Sequence, residues 1–433
     1  MRVAWFTPFG IKSAIGRYSK FGADALSKYA EVDIFTSDKG ELHKTECRLV
    51  QYKVENVCDQ LEDYDIVVYN MGDNSAYHSD IYEVMQKYPG VLINHDICLH
   101  NFMRGYYLVH KNDSMGLFNL MRDIYGSETA DMLMEAGMNS DEYGQLDFRK
   151  YSLSEHIGDN AIGMIVHSHY HEDYIKKYYR GDLAVIALPD MDDGLTSLDS
   201  SISFNGYTGK KKHILTVGNV NENKRIHSII KILGQNPELA EYYDYTVIGS
   251  QGNRNYCNYL EKLIRQYRLE RSVKLLGFVN HKELAYYYQG ADLISNLRFP
   301  AYEGASGSIV EQMSIGKVCL VCDTGVYSEL EDSTVIKVDP VNEEACLKNI
   351  LFDFMKNADL IRKTGENAKE YALVHFERDL YAKKVYQFLK QVIFKKPIIE
   401  LADKCATEFL NMPGIYECSL PEYVLQEMYD LFN

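Results

Sequence analysis

Residues 291–315 read ADLISNLRFPAYEGASGSIVEQMSI, and this stretch decides the fold. Its beginning, Ala291–Ser295, is a short apolar run of the kind that forms a buried strand. A turn of small residues, Gly304–Ser308, then opens a helix that is expected to end near Ile315, just before Gly316. A buried strand joined to a helix by a small-residue turn is the building unit of parallel sheets covered by helices. The stretch therefore predicts an α/β fold.

The same alternation of apolar strands and helical segments occurs in two series along the chain. The first series comprises Val3–Thr7, Val32–Thr36, Ile66–Tyr69, Val91–Asn94 and Gly163–His167, and the second comprises Ile214–Val217, Tyr245–Ile248, Val273–Leu275, Leu293–Ser295, Val318–Val321 and Val335–Val338. Two series predict two parallel sheets, each with its own covering of helices. A chain of 433 residues also exceeds what one core usually serves, which favours two Rossmann-like domains of roughly 200 residues each.

We place the N-terminal domain at residues 1–195, the C-terminal domain at 205–375 and a helical tail at 376–433, which is expected to pack back on the N-terminal domain. The stretch Asp190–Lys212 is rich in Asp, Ser, Gly and Lys and is interpreted as the linker. Residues 99–160 interrupt the first series with helical and polar sequence. Insertions at strand ends of open α/β sheets usually shape the ligand site, so this one is expected to do so.

The composition excludes several classes of protein. A net charge of -16 disfavours nucleic acid as a partner, because phosphate binding needs a basic surface. Nine cysteines without disulfide-framework spacing suggest reduced thiols in a cytoplasmic protein. The sequence enters a strand directly after Met1, without a signal peptide, and no apolar run reaches the ~18 residues of a membrane span. We therefore expect a cytoplasmic protein that does not span a membrane.

The turn after Ala291–Ser295 has the features of an anion site. The backbone N–H groups of this turn would lie at the positive end of the following helix, where a pyrophosphate binds well. Glu303 lies just before the helix and Glu311 about two turns inside it, roughly 9–12 Å away at ~1.5 Å per residue. That separation suits one carboxylate on sugar hydroxyls and the other on a ribose, although such a pair also occurs by chance. The backbone N–H groups expected to bind the pyrophosphate are those of Gly304, Ala305, Ser306, Gly307 and Ser308.

A second loop, after the first strand of the second series, supplies basic side chains. It reads VGNVNENKR over residues 217–225. Gly218 allows close approach of the backbone, and Lys224 and Arg225 can neutralise phosphate charge. A basic pair at a helix start is more often solvated surface. However, both this loop and the Glu303 loop follow strands and so open on the same edge of one sheet, where ligands of such sheets bind.

On these residues the chain resembles glycosyltransferase family 4, a large family of retaining enzymes with the GT-B fold, in which two Rossmann-like domains face a central cleft. The resemblance covers roughly residues 1–390. Its most specific motif is the Glu-x7-Glu pattern of Glu303 and Glu311. The segments 297–300 (LRFP) and 306–308 (SGS) resemble a bacterial subgroup that assembles surface polysaccharide. The segment 316–330 also follows the family's order of residues.

The resemblance implies roles for the residues of the C-terminal domain. Glu303 is expected to contact the donor sugar and, with Lys224, to act in catalysis, while Glu311 binds the ribose and Lys224 the diphosphate. The family usually has an arginine at the position of Asn219, and the missing charge is expected from Arg225 or Arg298. The donor is expected to be UDP- or GDP-linked. No metal or other cofactor is expected, because enzymes of this fold hold the diphosphate with amides and basic side chains. The donor-binding set is Gly16, Gly218, Asn219, Lys224, Arg225, Arg298, Gly304, Ala305, Ser306, Gly307, Ser308 and Glu311.

In the N-terminal domain the resemblance points to a glycine-rich loop and a histidine. Gly16 occupies the loop that faces the phosphates, although the family's usual glycine pair is Ala14-Ile15 here. His95, at the end of the strand Val91–Asn94, matches the family's active-site histidine and is expected to contact the donor sugar. A histidine bound to backbone at a strand end is the commoner alternative. Five polar residues are expected to line the cleft or bind the acceptor: Asn70, Asp73, Asp96, His100 and His167.

The resemblance implies a retaining hexosyltransferase that uses a nucleotide diphosphate sugar and a saccharide or lipid-linked acceptor in bacterial surface glycan synthesis. A sugar-nucleotide epimerase and a catalytically idle partner subunit are the alternatives; the second would be expected to lose the Glu pair or Lys224. The basic clusters at Lys176-Lys177 and Lys395-Lys396 leave open a peripheral contact with the inner face of the membrane. We interpret the Cys319 and Cys322 pair as buried thiols rather than as a metal site.

Overall fold

The computed structural model describes residues 1–138, 146–192 and 211–411. Contacts divide the chain into two compact units. The first contains residues 1–187 together with the chain from Asp379 on, and the second contains residues 188–378. Each unit holds one parallel sheet covered by helices, so the predicted α/β fold with two Rossmann-like units is confirmed. Most of the predicted linker and the last part of the predicted tail lie outside the described residues.

The first unit is built on a seven-stranded parallel sheet in the order β3-β2-β1-β4-β5-β6-β7. The order reverses between β1 and β4. All residues of β4 and β5 are buried, as expected for central strands with helices on both faces. The strands are β1 Arg2–Phe6, β2 Glu31–Thr36, β3 Arg48–Gln51, β4 Ile66–Met71, β5 Gly90–Asn94, β6 Ala161–Val166 and β7 Leu183–Val185.

Several helices of the first unit begin at polar caps. The side chains of Ser13, Asn74 and Ser168 accept hydrogen bonds from backbone N–H groups of the first turns that follow them, which satisfies donors that a helix start leaves unpaired. The helices are α1 Ala14–Leu26, α2 Cys58–Leu61, α3 Ser75–Lys87, α4 His100–Gly105, a π-helix at Tyr106–His110, α5 Ser114–Tyr125, α6 Ser127–Met138 and α7 His169–Ile175. The predicted insertion at 99–160 thus contains α4, the π-helix, α5 and α6.

The second unit has a six-stranded parallel sheet in the order β10-β9-β8-β11-β12-β13, and this order reverses between β8 and β11. The strands are β8 Lys212–Val217, β9 Tyr243–Ile248, β10 Val273–Gly277, β11 Leu293–Ser295, β12 Cys319–Cys322 and β13 Ile336–Val338. The helices are α8 Ile226–Gln235, α9 Pro237–Tyr242, α10 Arg254–Gln266, α11 His281–Gly290, α12 Gly307–Ser314, α13 Glu343–Lys356 and α14 Ala358–His375, with 3-10 turns at Glu222–Lys224 and Gly325–Glu329.

The packing of α8 shows why this sequence forms a covering helix. Its apolar residues Ile226, Ile229, Ile230 and Leu233 follow the spacing of one helical face, and all four are fully buried. They join the core of the second unit with residues of the central strands, such as Leu293 of β11. The apolar face holds the helix on the sheet, and the loop before it is thereby fixed at the carboxyl end of β8.

The last helix, α15 Arg378–Asn411, belongs to the first unit from Asp379 on. Its buried residues Tyr381, Val385 and Leu389 recur every four positions and form its packed face. The hydroxyl groups of Tyr18 and Tyr381 share a hydrogen bond, and farther along Val392 packs against β6. Among the helices described, none is long and apolar enough to cross a membrane.

Candidate functional site

The predicted anion site lies where the strand order of the second sheet reverses. β8 and β11 are neighbours in the sheet, and the loops that follow them are residues 218–225 and 296–306. Because parallel strands end at the same edge, the two loops meet there. Ligands of open α/β sheets bind at such a reversal, outside the carboxyl ends of the strands.

Two glycines allow the loop after β8 to approach the loop after β9 and to hold Lys224. Gly218 adopts φ +113° and Gly249, after β9, adopts φ +151°, conformations that L side chains rarely adopt. A Cβ atom at Gly249 would lie 2.0 Å from the carbonyl oxygen of Gly218, so the backbone itself fills that space. A Cβ at Gly218 would lie 2.7 Å from the amine nitrogen of Lys224. Gly218 therefore provides the room for the Lys224 amine, a role that fits its predicted place in the site.

Lys224 is a buried lysine with few partners. Only 6% of the residue is exposed, and its Nζ donates to the carbonyl oxygen of Val217 at 3.2 Å. Burial, and next the nearby Arg298 guanidinium, hold the pKa of Lys224 well below its usual value, while Glu303 opposes that shift. An amine kept from water and close to a second cation is favourable only when negative charge is brought near it.

Arg298, Glu303 and Tyr327 form a connected group beside Lys224. The Nε of Arg298 lies 3.4 Å from Oε1 of Glu303, and the Tyr327 hydroxyl donates to the same oxygen at 2.6 Å. Tyr327 is fully buried, and burial followed by the Glu303 charge raises its pKa well above the ordinary value. The Arg298 guanidinium is itself fixed by a bond to the carbonyl of Leu297 at 2.8 Å. Glu303 is thus held by two side chains through one of its oxygens.

The helix α12 begins at Gly307, three residues after the start of the predicted turn and inside it. Ser306 is its N-cap, and the Ser306 Oγ accepts from the N–H of Ile309 at 3.4 Å. Ser308 exchanges hydrogen bonds with Ser306 and with Asn296 of the loop after β11. Gly304 and Ala305 therefore precede the helix, whereas Gly307 and Ser308 form its first turn. The N-terminus of α12 thus follows the loop after β11, at the sheet edge where the loop that carries Lys224 also lies.

Glu311 and Arg225 are both held by partners inside the second unit. Glu311 is 5% exposed and accepts from the Tyr288 hydroxyl at 3.3 Å. The Nε of Arg225 lies 2.8 Å from Glu343, a buried carboxylate that Ser228 also contacts. The charge of Arg225 is therefore matched within the fold, while the charge of Arg298 is shared with Glu303 in the site. Asn219 is exposed on the loop after β8.

In the first unit, Gly16 and His95 have different kinds of environment. A Cβ at Gly16 would lie 2.7 Å from the carbonyl oxygen of Pro8, so this glycine lets α1 begin close to the loop after β1. His95 follows β5 and is 9% exposed. Its Nε2 lies 3.1 Å from Oδ1 of Asn70 and its Nδ1 lies 3.0 Å from Nε2 of His167. The structure brings these three predicted residues together.

The histidine pair is anchored at its far end as well. His167 Nδ1 lies 2.8 Å from the carbonyl oxygen of Ile186, and the ring of Tyr18 meets the His95 ring edge to face at 4.6 Å. Burial lowers the pKa of His167 to about 4, and burial together with the neighbouring histidines lowers the pKa of His95 well below the usual value. Both rings are therefore neutral near pH 7, with their orientation fixed by hydrogen bonds.

Asp73, Asp96 and His100 lie around the ends of β4 and β5. The N–H of Asp73 donates to Asp96 at 2.9 Å, and the Asp73 carboxylate accepts from the N–H of Phe102 at 2.8 Å. Burial, and next the Asp96 charge, raise the pKa of Asp73 to about 7. His100 is buried and lies 2.6 Å from the carbonyl oxygen of Tyr151. Asp73 thus joins the loop after β4 to α4, and His100 joins α4 to the backbone at Tyr151.

Three features of the site were missed at the level of sequence. Neither the pairing of Arg298 with Glu303 nor the bond from Tyr327 was predicted, and His167 was expected near the site but without its contact to His95. Arg298 and Glu303 are five residues apart on an irregular loop that contains a cis peptide bond between Phe299 and Pro300. Local spacing does not give side-chain distances on such a loop.

Comparison with known proteins places this geometry in a family context. Residues 200–371 match the family model described as Glycosyl transferases group 1. No curated protein matches the chain by sequence. Among solved structures, the Anabaena protein Alr3699/HepE in complex with UDP and glucose is 16% identical, with a TM-score of 0.61 over 90% of this chain and 100% of its own.

Two further solved structures show the same likeness. A glycosyltransferase from Rickettsia africae is 14% identical, with a TM-score of 0.61 over 90% of this chain and 98% of its own. WaaG, a glycosyltransferase involved in lipopolysaccharide biosynthesis, is 19% identical, with a TM-score of 0.56 over 89% of this chain and 99% of its own. The fold shared with these proteins is that of the GT-B glycosyltransferases.

Proposed function

We propose that the chain is a retaining glycosyltransferase that moves a hexose from a nucleotide diphosphate sugar to a saccharide or lipid-linked acceptor in bacterial surface glycan synthesis. The observation that carries the proposal is the charge balance beside Gly218. Two largely buried basic side chains lie there: Arg298 pairs with Glu303 at 3.4 Å, and the Glu303 charge also favours the protonated form of Lys224. The match to the group 1 glycosyl transferases covers all of these residues.

The surplus positive charge fits a diphosphate. The two basic side chains and one carboxylate leave one uncompensated cation, and the amides at the start of α12 add the positive end of a helix. A diphosphate group brings the negative charge that this edge of the sheet needs. UDP is supported as the nucleotide by the complexes of HepE with UDP and UDP-glucose. WaaG supports a role in surface glycan synthesis.

The proposed roles follow from the contacts. Glu303 Oε1 takes both Arg298 and Tyr327, while Oε2 accepts no hydrogen bond from the parts of the chain that the structure describes. Oε2 is therefore available to a sugar hydroxyl, and the two partners keep it in one orientation. Lys224 and the α12 amides stabilise the charge that develops on the leaving diphosphate. Glu311 is proposed to bind the ribose.

His95 is proposed to contact the donor sugar, with its ring orientation set by Asn70 and His167. Because the ring is neutral and both its nitrogens are engaged, it acts by positioning rather than by proton transfer. The acceptor hydroxyl is proposed to lose its proton to the leaving phosphate. We propose that the reaction takes place in the cytoplasm and that the basic clusters at Lys176-Lys177 and Lys395-Lys396 allow a peripheral contact with the membrane.

The experiment that tests the function is a calorimetric screen of the full chain against UDP, GDP, ADP, CMP and dTDP and their common sugars. We expect one nucleotide to bind at micromolar strength. Lys224→Ala and Glu311→Ala should each weaken that binding at least tenfold, whereas Lys274→Ala, which changes an exposed lysine of β10, should not. Binding that is equal in all three variants, or the absence of binding by any nucleotide, would contradict the proposal.

A metal is not part of the proposed site, since its cations are the side chains of Lys224 and Arg298. Transfer should therefore continue at an unchanged rate in excess EDTA. An activity that falls on chelation and returns with Mg²⁺ or Mn²⁺ would overturn this part of the proposal.

A further inference from the structure

The first unit contains a cavity near the carboxyl ends of β2 and β4 that none of the residues discussed above lines. Its volume is about 370 Å³, at the lower end of the range of about 300–1,000 Å³ typical of small-molecule sites. It is lined by Ser37, which follows β2, by the first two turns of α3, and by the segment from Gly105 to His110. We call it the Asp80 cavity, after the acidic residue in its wall.

The Asp80 carboxylate is a half-buried charge without a protein partner. Within residues 1–138, 146–192 and 211–411, no side chain or backbone group forms a hydrogen bond or an ion pair with it. Glu83, one turn farther along α3, differs in this respect, because His110 and Lys111 both pair with it. An ionised carboxylate that is partly removed from water and accepts nothing from the protein retains its full capacity to accept hydrogen bonds from a ligand.

The other lining groups are hydroxyls and a small apolar surface. Ser37, Ser75 and Tyr77 bring hydroxyl groups to the wall, and Val109 contributes apolar surface with 82% of its area exposed. Gly105 is required at this place, since a Cβ there would lie 2.0 Å from the Ser75 hydroxyl oxygen. Hydroxyls and a carboxylate beside apolar and aromatic surface form a lining suited to a polyhydroxy compound with an apolar face.

The charges around the cavity disfavour a phosphate group as its ligand. Lys111, the nearest lysine along the chain, is occupied by Glu83 and packs over the Tyr106 ring. Burial, and to a smaller extent the Asp80 and Asp38 charges, raise the pKa of the Tyr52 hydroxyl, while a hydrogen bond with Ser37 opposes the shift. An anion brought here would meet the Asp80 carboxylate, while Lys111 is already paired with Glu83.

We propose that the Asp80 cavity binds an uncharged saccharide, and that the Asp80 carboxylate accepts hydrogen bonds from its hydroxyls. The proposal rests on the proposed function in one respect: the saccharide is the acceptor of the transfer. Gly105, Val109 and His110 belong to the segment 99–160, the insertion that was expected to shape the ligand site.

The test is a saturation-transfer NMR titration of the full chain with three neutral probes, methyl β-D-glucopyranoside, methyl β-D-galactopyranoside and methyl α-D-mannopyranoside, and with glucose 6-phosphate. At least one methyl glycoside should bind, and glucose 6-phosphate should bind at least tenfold more weakly than the corresponding glucoside. Asp80→Ala should weaken the glycoside by about tenfold or more, the effect of losing a hydrogen bond to a charged group. Asp131→Ala, at an exposed position of α6, is the matched control and should bind as the wild type does.

Three results would overturn the proposal: no binding by any of the methyl glycosides, equal binding by the Asp80→Ala and wild-type chains, or preference for the phosphorylated sugar. Thermal unfolding of each variant verifies that it is folded, and Asp80→Asn gives a second variant of nearly unchanged shape. Nucleotide affinity should be unchanged in all of these variants. Glycoside binding without nucleotide binding would therefore refute the proposed function alone, whereas nucleotide binding without glycoside binding would refute only the role of the cavity.

Discussion

Replacing Lys224 by methionine should stabilise the protein while it abolishes nucleotide binding. The Lys224 amine is buried, donates to one carbonyl and lies near the Arg298 guanidinium, and its pKa is held well below the usual value by burial first and Arg298 second. A lysine that stabilised the fold through an ion pair would instead have its pKa raised by the paired carboxylate. The free protein therefore keeps this amine at a cost that methionine, of similar length and without charge, removes.

The magnitude follows from the burial of the charge and the size of the unit. Replacing buried charged groups by apolar residues of similar volume stabilises by roughly 1–4 kcal/mol in favourable cases. The second unit spans residues 188–378, which is 191 residues, counting 378 − 188 + 1. For a unit of this size about 1 kcal/mol shifts Tm by about 2–4 °C, so a rise of at least about 2 °C is expected at pH 7.

The pH dependence has a definite sign. Because the pKa of Lys224 is lower in the folded chain than in the unfolded chain, the unfolded chain binds more protons between the two values, and stability rises with pH there. The gain from methionine should therefore be larger at pH 7 than at pH 9, and should fade as the pH approaches the ordinary lysine value of 10.5.

The assay is differential scanning calorimetry of the full chain, following the transition that a bound nucleotide shifts in the wild type. Lys212→Met is the matched control, since Lys212 forms an ion pair with Asp292 at 2.8 Å that raises its pKa. That variant should lose at most about 1 kcal/mol, because the pair is partly exposed. A Lys224→Met chain that melts below the wild type would refute the reasoning and assign the lysine a structural role.

Three further predictions concern Gly218 and Tyr327 in the second unit and His167 in the first. Gly218→Ala should lower the free energy of unfolding by roughly 1–3 kcal/mol and weaken nucleotide binding, because φ is +113° there and the new methyl group would displace Lys224. Gly40→Ala, with open space around it, should do neither in the same thermal melts and nucleotide titrations. Tyr327→Phe should lower kcat about tenfold or more with little change in nucleotide affinity, since the lost hydroxyl orients the Glu303 carboxylate, which we propose to contact the donor sugar. A changed KM with unchanged kcat would argue against this. His167→Ala should lower kcat for transfer, whereas His169→Ala, at a side chain with 74% of its area exposed, should leave steady-state rates unchanged.

The sequence predicted every strand of the second sheet and the five inner strands of the first, but not the two edge strands of the first sheet. The apolar runs behind β4 and β5 were recognised because both faces of these strands are buried. β3 and β7 were missed, since Arg48–Gln51 is largely exposed and Leu183–Val185 is only three residues long with no fully buried member. An edge strand pairs on one side only and carries no strong apolar pattern.

For the site, the sequence predicted the residue types and the sheet edge but not all pairings. The glycine and lysine of the loop after β8 were expected together, because both loops follow strands of one sheet. The partner of Arg225 was not foreseen, since Glu343 lies 118 residues farther along the chain. Which arginine faces the site is decided by such distant contacts, and a single sequence contains no information on them.

The return of α15 to the first unit has a consequence for synthesis on the ribosome. A Cβ atom at Gly163 of β6 would lie 2.7 Å from Val392, so the first sheet is closed on this side by residues made more than two hundred positions later. During translation, the face of β6 that α15 covers therefore stays exposed until the whole second unit has been synthesised. A shortened chain ending at residue 378 would carry an intact second unit beside an unfinished first one, and chaperones would be expected to retain it.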